Sequence, residues 1–137
     1  MNINERLPVI KHLFLNNNYL QSINGICHCT SLESLILDHN EIVTFALEDF
    51  TENNNLKFLS FENNKIRSLK FTKRLQNLEK LYAANNSLTN GDEMQHLFLL
   101  ENLVELTFEG NYFLTEITKD NMIFQNFELT NPEIVGN

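Results

Sequence analysis

Five times along 137 residues, an eleven-residue window carries apolar side chains at positions 1, 4, 6 and 11 and asparagine at position 9. The copies are Ile10, Leu13, Leu15, Asn18, Leu20; Leu32, Leu35, Leu37, Asn40, Ile42; Leu56, Leu59, Phe61, Asn64, Ile66; Leu78, Leu81, Ala83, Asn86, Leu88; and Leu103, Leu106, Phe108, Asn111, Phe113. Successive starts at 10, 32, 56, 78 and 103 lie 22, 24, 22 and 25 residues apart. In a chain that is 42% apolar, four such matches arise in about 0.03 of windows before asparagine is required. A unit of this kind cannot bury its apolar side alone, so neighbouring units must stack.

Positions 4 and 6 are two residues apart and share one face of an extended strand. Stacked units therefore make a parallel sheet over a continuous core. Asparagine at position 9 ends each strand. Its amide offers two donors and two acceptor lone pairs, and Asn tolerates turn geometry. A ladder of Asn18, Asn40, Asn64, Asn86 and Asn111 is expected to satisfy the loop backbone left open after each strand. Behind the first strand, Leu20, Ile23, Ile26, Cys29 and Leu32 follow in steps of two or three, nearer to 3₁₀ than to α periodicity. In the fourth return, Met94, Leu97 and Leu100 predict a helical turn or two, with Asn90 or Thr89 as its cap.

These windows resemble the leucine-rich repeat family over nearly the whole chain. The resemblance implies an α/β fold: a right-handed, curved solenoid, with a parallel sheet on its concave face and short 3₁₀ or helical returns on its convex side. Residues 1–137 are expected to form a single domain. The 22-residue steps resemble the intracellular subclass that includes the phosphatase 1 regulatory subunit and the outer-arm dynein light chain. The 24-residue second copy, with Phe45 and Phe50, looks more like receptor ectodomain repeats. A sixth copy is expected at 129, with Leu129, Pro132, Ile134 and Asn137 at positions 1, 4, 6 and 9. The stretch from Asn111 through Gly136 also resembles a worn family cap, with Asn111-Tyr112-Phe113 as its start, a helix over Met122–Phe127 and Pro132–Gly136 as its close; a segment of a longer array is the favoured alternative.

Composition narrows the function. Ten basic residues against 18 acidic ones leave a net charge of −8, which lacks the footprint of a nucleic-acid binder. No apolar run approaches the ~20 residues of a membrane span. The first six residues lack a charged-then-apolar leader pattern. Two cysteines cannot staple a secreted domain, which points to a reducing compartment. A cytoplasmic location is expected, with ciliary, cytoskeletal or nuclear settings possible under the resemblance. No phosphate loop, nucleotide fingerprint or nucleophile elbow occurs, so no enzyme and no cofactor are expected. Cys27-His28-Cys29 is the one local metal-like cluster, and it reads instead as a buried Cys29 flanked by outward residues.

Strand parity assigns the outer face of the sheet. Position 3 supplies His12, Ser34, Phe58, Lys80 and Glu105; position 5 supplies Phe14, Ile36, Ser60, Tyr82 and Thr107; position 7 supplies Asn16, Asp38, Glu62, Ala84 and Glu109. Phe14, Ile36, Phe58 and Tyr82 make an apolar strip. Asp38, Glu62, Glu105 and Glu109 make an acidic rim. Such a groove suits an amphipathic, partly basic helix or peptide from another protein. A flanking segment of a longer native chain is another possible cover. The expected role is non-enzymatic protein recognition in an intracellular scaffold or regulatory subunit. The alternative, a segment of an extracellular receptor, draws on the 24-residue copy and the glycosylation pattern Asn85-Asn86-Ser87.

Overall fold

The computed structural model describes residues 9–111 and the backbone of residues 133–135. Six strands of three residues each follow the repeat: β1 His12–Phe14, β2 Ser34–Ile36, β3 Phe58–Ser60, β4 Lys80–Tyr82, β5 Glu105–Thr107 and β6 Glu133–Val135. They form one parallel sheet in sequence order. Leu13, Leu35, Leu59, Leu81 and Leu106 pair across neighbouring strands. Every strand therefore starts at the same phase, although the intervals between strands differ. The returns are 3₁₀ segments at Ile26–His28, Leu47–Phe50, Lys70–Arg74 and Gly91–Leu99. The last is longest. It is capped by Asn90, whose side chain accepts the N–H of Asp92 at 2.9 Å.

The core is the stacked column of positions 1, 4, 6 and 11 from the second to the fourth repeat, together with their return residues, all essentially inaccessible to solvent. Phe45, Phe50, Phe61 and Phe71 add an aromatic cluster with ring centroids 4.7–5.8 Å apart. Phe45 thus packs on Phe61, just after β3, and on Phe50, which binds the second return to the sheet side of the core.

Four asparagines tie repeat to repeat. The Oδ1 of Asn40 accepts the N–H of Leu20, and its Nδ2 donates to Leu15 in the preceding repeat and to Leu37 in its own. Asn64 and Asn86 repeat the pattern one and two turns later. Asn111 accepts from Leu88 and donates to Ala83 and Phe108. All four are buried. Asn18 differs from the other four: it is exposed, and among the described residues it donates within its own loop, to Leu15 and Asn16.

Three further corrections follow. The turn geometry assigned to position 9 belongs to position 8, where Asn17, His39, Asn63, Asn85 and Gly110 all have φ between 53° and 75°. Asn, His and Gly are the residues that adopt this left-handed region at lowest cost. At Gly110 the need is also steric, because a Cβ would lie 2.0 Å from the Oδ1 of Asn85. Second, the asparagine richness has a structural use beyond position 9. Asn55, Asn77 and Asn102, each just before position 1, donate to Thr30, Asn54 and Gln76 of the preceding return at 2.6–3.1 Å. Buried Asn53 likewise donates to Ile26 and Cys29. Third, Ile134 pairs with Leu106. The register puts Ile134 opposite position 4 of the fifth repeat, where the expected copy at 129 had it at position 6. A shift of two preserves face alternation. The expected cap helix at 122–127 lies outside the described residues.

Replacing the buried rung Asn64 with Ala should lower stability by ~1–3 kcal/mol, because it leaves buried backbone groups unpaired. Its neighbour Asn63 acts through conformation: Asn63→Ala should cost about 1 kcal/mol and Asn63→Gly almost nothing. Urea melts check both. Equal midpoints for Asn64→Ala and Asn63→Gly would show that the ladder carries no weight.

Candidate functional site

The outer face of the sheet is short in depth but continuous across strands, because each strand contributes only positions 3 to 5 and the residue that follows at 7. Phe14 is 68% exposed. Ile36, Phe58 and Tyr82 are half-buried rather than free in solvent. The reason is local: Phe58 and Tyr82 meet edge to face with centroids 4.9 Å apart. Register places Tyr82 opposite Ser60 and Phe58 opposite Lys80, so the two rings touch diagonally, a reach open to aromatic side chains. The strip therefore runs from Phe14 and Ile36 at position 5 to the Phe58–Tyr82 pair.

The carboxylates are woven into the same surface. The Oδ1 of Asp38 accepts the hydroxyl of Ser60 at 2.5 Å and the N–H of Glu62 at 2.8 Å. The Oε1 of Glu62 accepts the hydroxyl of Thr107, two strands away, at 2.8 Å. That reach passes the position of Ala84, whose small side chain is the one non-polar interruption of the acidic column between Glu62 and Glu109. Glu105 accepts from the Tyr82 hydroxyl and pairs with the Lys80 ammonium at 3.0 Å. The Oε2 of Glu109 is buried without a hydrogen-bond partner among the described residues. Ser60 and Thr107 are the bracing residues that strand parity alone did not single out; each is a small hydroxyl one strand or two from a position-7 carboxylate.

Electrostatics follows from these contacts. The hydrogen bond to Glu105 pushes the Tyr82 phenol up to about 12 from an ordinary 10.0, helped by burial and by the charges of Glu105 and Glu62. Glu105 is held below the usual carboxylate range, first by Tyr82 and then by Lys80. Across the face, Asp38, Glu62, Glu105 and Glu109 oppose the single ammonium of Lys80. The surface is acidic, and partly apolar.

Elsewhere, Cys29 is buried and Cys27 half-buried, both as free thiols. Burial, and then Cys27, raise the Cys29 thiol. Among the described residues, no three His, Cys, Asp or Glu side chains gather as a metal-binding group, and no helix is long and apolar enough to cross a membrane.

No family model matches the chain. Among solved structures it is similar to a leucine-rich-repeat protein of Leptospira interrogans, with a TM-score of 0.73, 25% identity, and coverage of 93% of this chain and 31% of that one. It is also similar to an internalin of Listeria monocytogenes, with a TM-score of 0.65, 23% identity, and coverage of 79% and 37%. The fold is a leucine-rich-repeat solenoid. A curated relative, a probable inactive serine/threonine-protein kinase of Dictyostelium discoideum, is 24% identical over 111 residues. The match covers 81% of this chain but 6% of that protein. The chain thus spans a minor part of every protein named.

Two outcomes test this geometry. The sign for Tyr82 is that of a raised acid: its contribution to stability is present below about pH 10 and is lost as pH rises toward 12. In an ultraviolet titration, Tyr82 should ionise near pH 12, and Glu105→Gln should move it down toward 10. A Tyr82 phenol that titrates at an ordinary pH in the parent would rule the bond out. Separately, a thiol reagent under native conditions should label Cys27 well before Cys29, since burial protects the latter and disfavours its thiolate.

Proposed function

We propose that this domain is a non-enzymatic recognition module that binds another protein through the concave face of its sheet. The observation that carries the reading is the apolar strip of Phe14, Ile36, Phe58 and Tyr82 lying beside four carboxylates. Large side chains in neighbouring columns form a contiguous patch, which is more telling than scattered apolar residues. Aromatic residues that are half-buried at rest lose little conformational freedom when covered, so they make effective anchors. The acidic residues select the partner's charge. An amphipathic helix or extended peptide with basic residues along one side fits both features.

The role best supported is that of an intracellular scaffold or regulatory subunit. The 22-residue steps and 3₁₀ returns agree with the intracellular repeat subclass, and the buried free thiol of Cys29 is at home in a reducing compartment.

A displayed library of random helical peptides tests the reading. Selected binders should combine apolar residues at helical spacing with Lys or Arg. Phe14→Ala or Phe58→Ala should weaken them by ~2 kcal/mol or more. Glu109→Gln should chiefly slow association, and that effect should shrink at high salt. Because Phe58 is half-buried, Phe58→Ala should also cost some stability, though less than the ~2–5 kcal/mol expected for Leu59→Ala in the core. Selected binders without cationic residues, or indifferent to Phe14 and Phe58, would refute the concave-face assignment.

A further inference from the structure

Half of the chain's ten basic residues fall within one stretch of ten: Lys65, Arg67, Lys70, Lys73 and Arg74. No Asp or Glu lies between Glu62 and Glu79. This stretch is the third return, which runs from the loop after β3 through the 3₁₀ segment Lys70–Arg74. All five side chains are exposed. The other described lysines, Lys11, Lys57 and Lys80, each lie within 4.0 Å of a carboxylate in the next repeat. Among the described residues, no carboxylate comes that close to any of the five.

The backbone that carries these charges is fixed in place. Leu69, Phe71, Thr72 and Leu75 are buried. The Thr72 hydroxyl donates to the Leu69 carbonyl at 2.7 Å. Glu93, in the next return, accepts the Leu69 N–H at 2.7 Å and the Ser68 hydroxyl at 3.1 Å. The nearest return thus spends its carboxylate on the backbone and a hydroxyl. Residues three apart eclipse in a 3₁₀ segment, so Lys70 and Lys73 stand in line, with Arg74 beside them. A helix C-terminus gives Lys73 and Arg74 a local use, but it gives none to Lys65, Arg67 or Lys70. Like charges held together repel, and an anion from outside relieves them.

We propose that the third return is a docking strip for an acidic, extended segment of another protein. Charge complementarity sets the sign of the occupant, and the flanking returns set its width. Lys70–Arg74 packs between Leu47–Phe50 and Gly91–Leu99. The first of these returns carries Glu48 and Glu52, and the second carries Asp92 and Glu93. The basic strip is therefore one return wide, about 5 Å by the spacing of the strands. An extended peptide has that width. A membrane face, or a duplex whose major groove alone is about 12 Å wide, would have to lie across the flanking carboxylates as well. A second copy of the chain would offer its concave carboxylates, but Asp38, Glu62 and Glu105 are already engaged by Ser60, Thr107 and Lys80. Salt at ~0.15 M screens charge beyond about 8 Å, so an arriving carboxylate feels the strip more than the distant acidic residues. This inference stands apart from the proposed function: it concerns a return rather than the sheet face, and a partner of opposite charge.

Fluorescence anisotropy with a labelled peptide of alternating Asp and Glu tests it in the full chain. The parent should bind the peptide, more tightly at low salt. Lys73→Glu with Arg74→Glu should weaken binding about tenfold. Lys11→Glu with Lys57→Glu changes the net charge equally and should weaken it less than about twofold. Lys70→Gln with Lys73→Gln, which only neutralises the strip, should fall between the two. All replaced residues are exposed, so urea midpoints should stay near the parent's. Phe14→Ala should leave peptide binding unchanged, which separates this strip from the concave face. A parent that does not bind the peptide, or equal losses in the two Glu pairs, overturns the proposal. Tighter binding to vesicles of anionic phospholipid, or to a duplex oligonucleotide, lost on Lys73→Glu with Arg74→Glu, would overturn it in favour of a membrane or a nucleic acid. Self-association in sedimentation, abolished by the same pair, would overturn it in favour of a second copy.

Discussion

From the second repeat to the fifth, one asparagine side chain per repeat holds each turn of this solenoid to the turn before it. Its amide donates to carbonyls at the ends of two neighbouring strands and accepts an N–H from the loop of the earlier one. Strands of three residues present too few ladder bonds to define a sheet alone, and the chain must leave each strand through a tight turn whose backbone is buried. The amide meets both needs at once. It satisfies the turn, and it sets the offset between consecutive turns. The left-handed residue at position 8 makes the geometry reachable, because it swings the chain so that the next side chain points inward. Lose either and the buried carbonyls of two repeats are orphaned together.

This arrangement explains why irregular spacing is tolerated. The strands keep one register, Leu13 through Leu106, while the returns range from a three-residue 3₁₀ segment to one of nine. Variation is confined to the convex side. There the second asparagine set, Asn55, Asn77 and Asn102, fastens each corner to the preceding return, and Glu93 accepts the Leu69 N–H and the Ser68 hydroxyl across two returns. The phenylalanine cluster fills the extra space of the longer second return. An insertion that would break a flat sheet is absorbed by packing.

The concave face gains stiffness from polar contacts that run along the solenoid rather than along the chain. Asp38 to Ser60, Glu62 to Thr107 and Tyr82 to Glu105 each join different strands. Carboxylates so placed are positioned in advance. Side chains already ordered in this way lose less entropy when a contact covers them.

Much of this was legible in one dimension. The period, the apolar phases and the inward or outward sense of Phe58 against Leu59 follow from strand parity, a local property that needs no knowledge of neighbours. Even the position-8 turn was written in the sequence: Asn17, His39, Asn63, Asn85 and Gly110 are residue types suited to a left-handed backbone. What the sequence did not disclose were relations between repeats. Asn55, Asn77 and Asn102 look like loop filler until their partners, 23 to 26 residues earlier, are stacked beside them. Phe58 and Tyr82 look exposed until register sets one ring against the other. Asn18 looks equal to Asn64 until the structure shows it exposed and donating to Leu15 and Asn16 of its own loop. The sequence by itself determined which face of each strand is core and how often the unit recurs, because those depend on side-chain alternation within a few residues. Only the tertiary structure decided which polar groups are satisfied and how far each aromatic is covered, because each depends on a neighbour that the chain reaches only after a full turn.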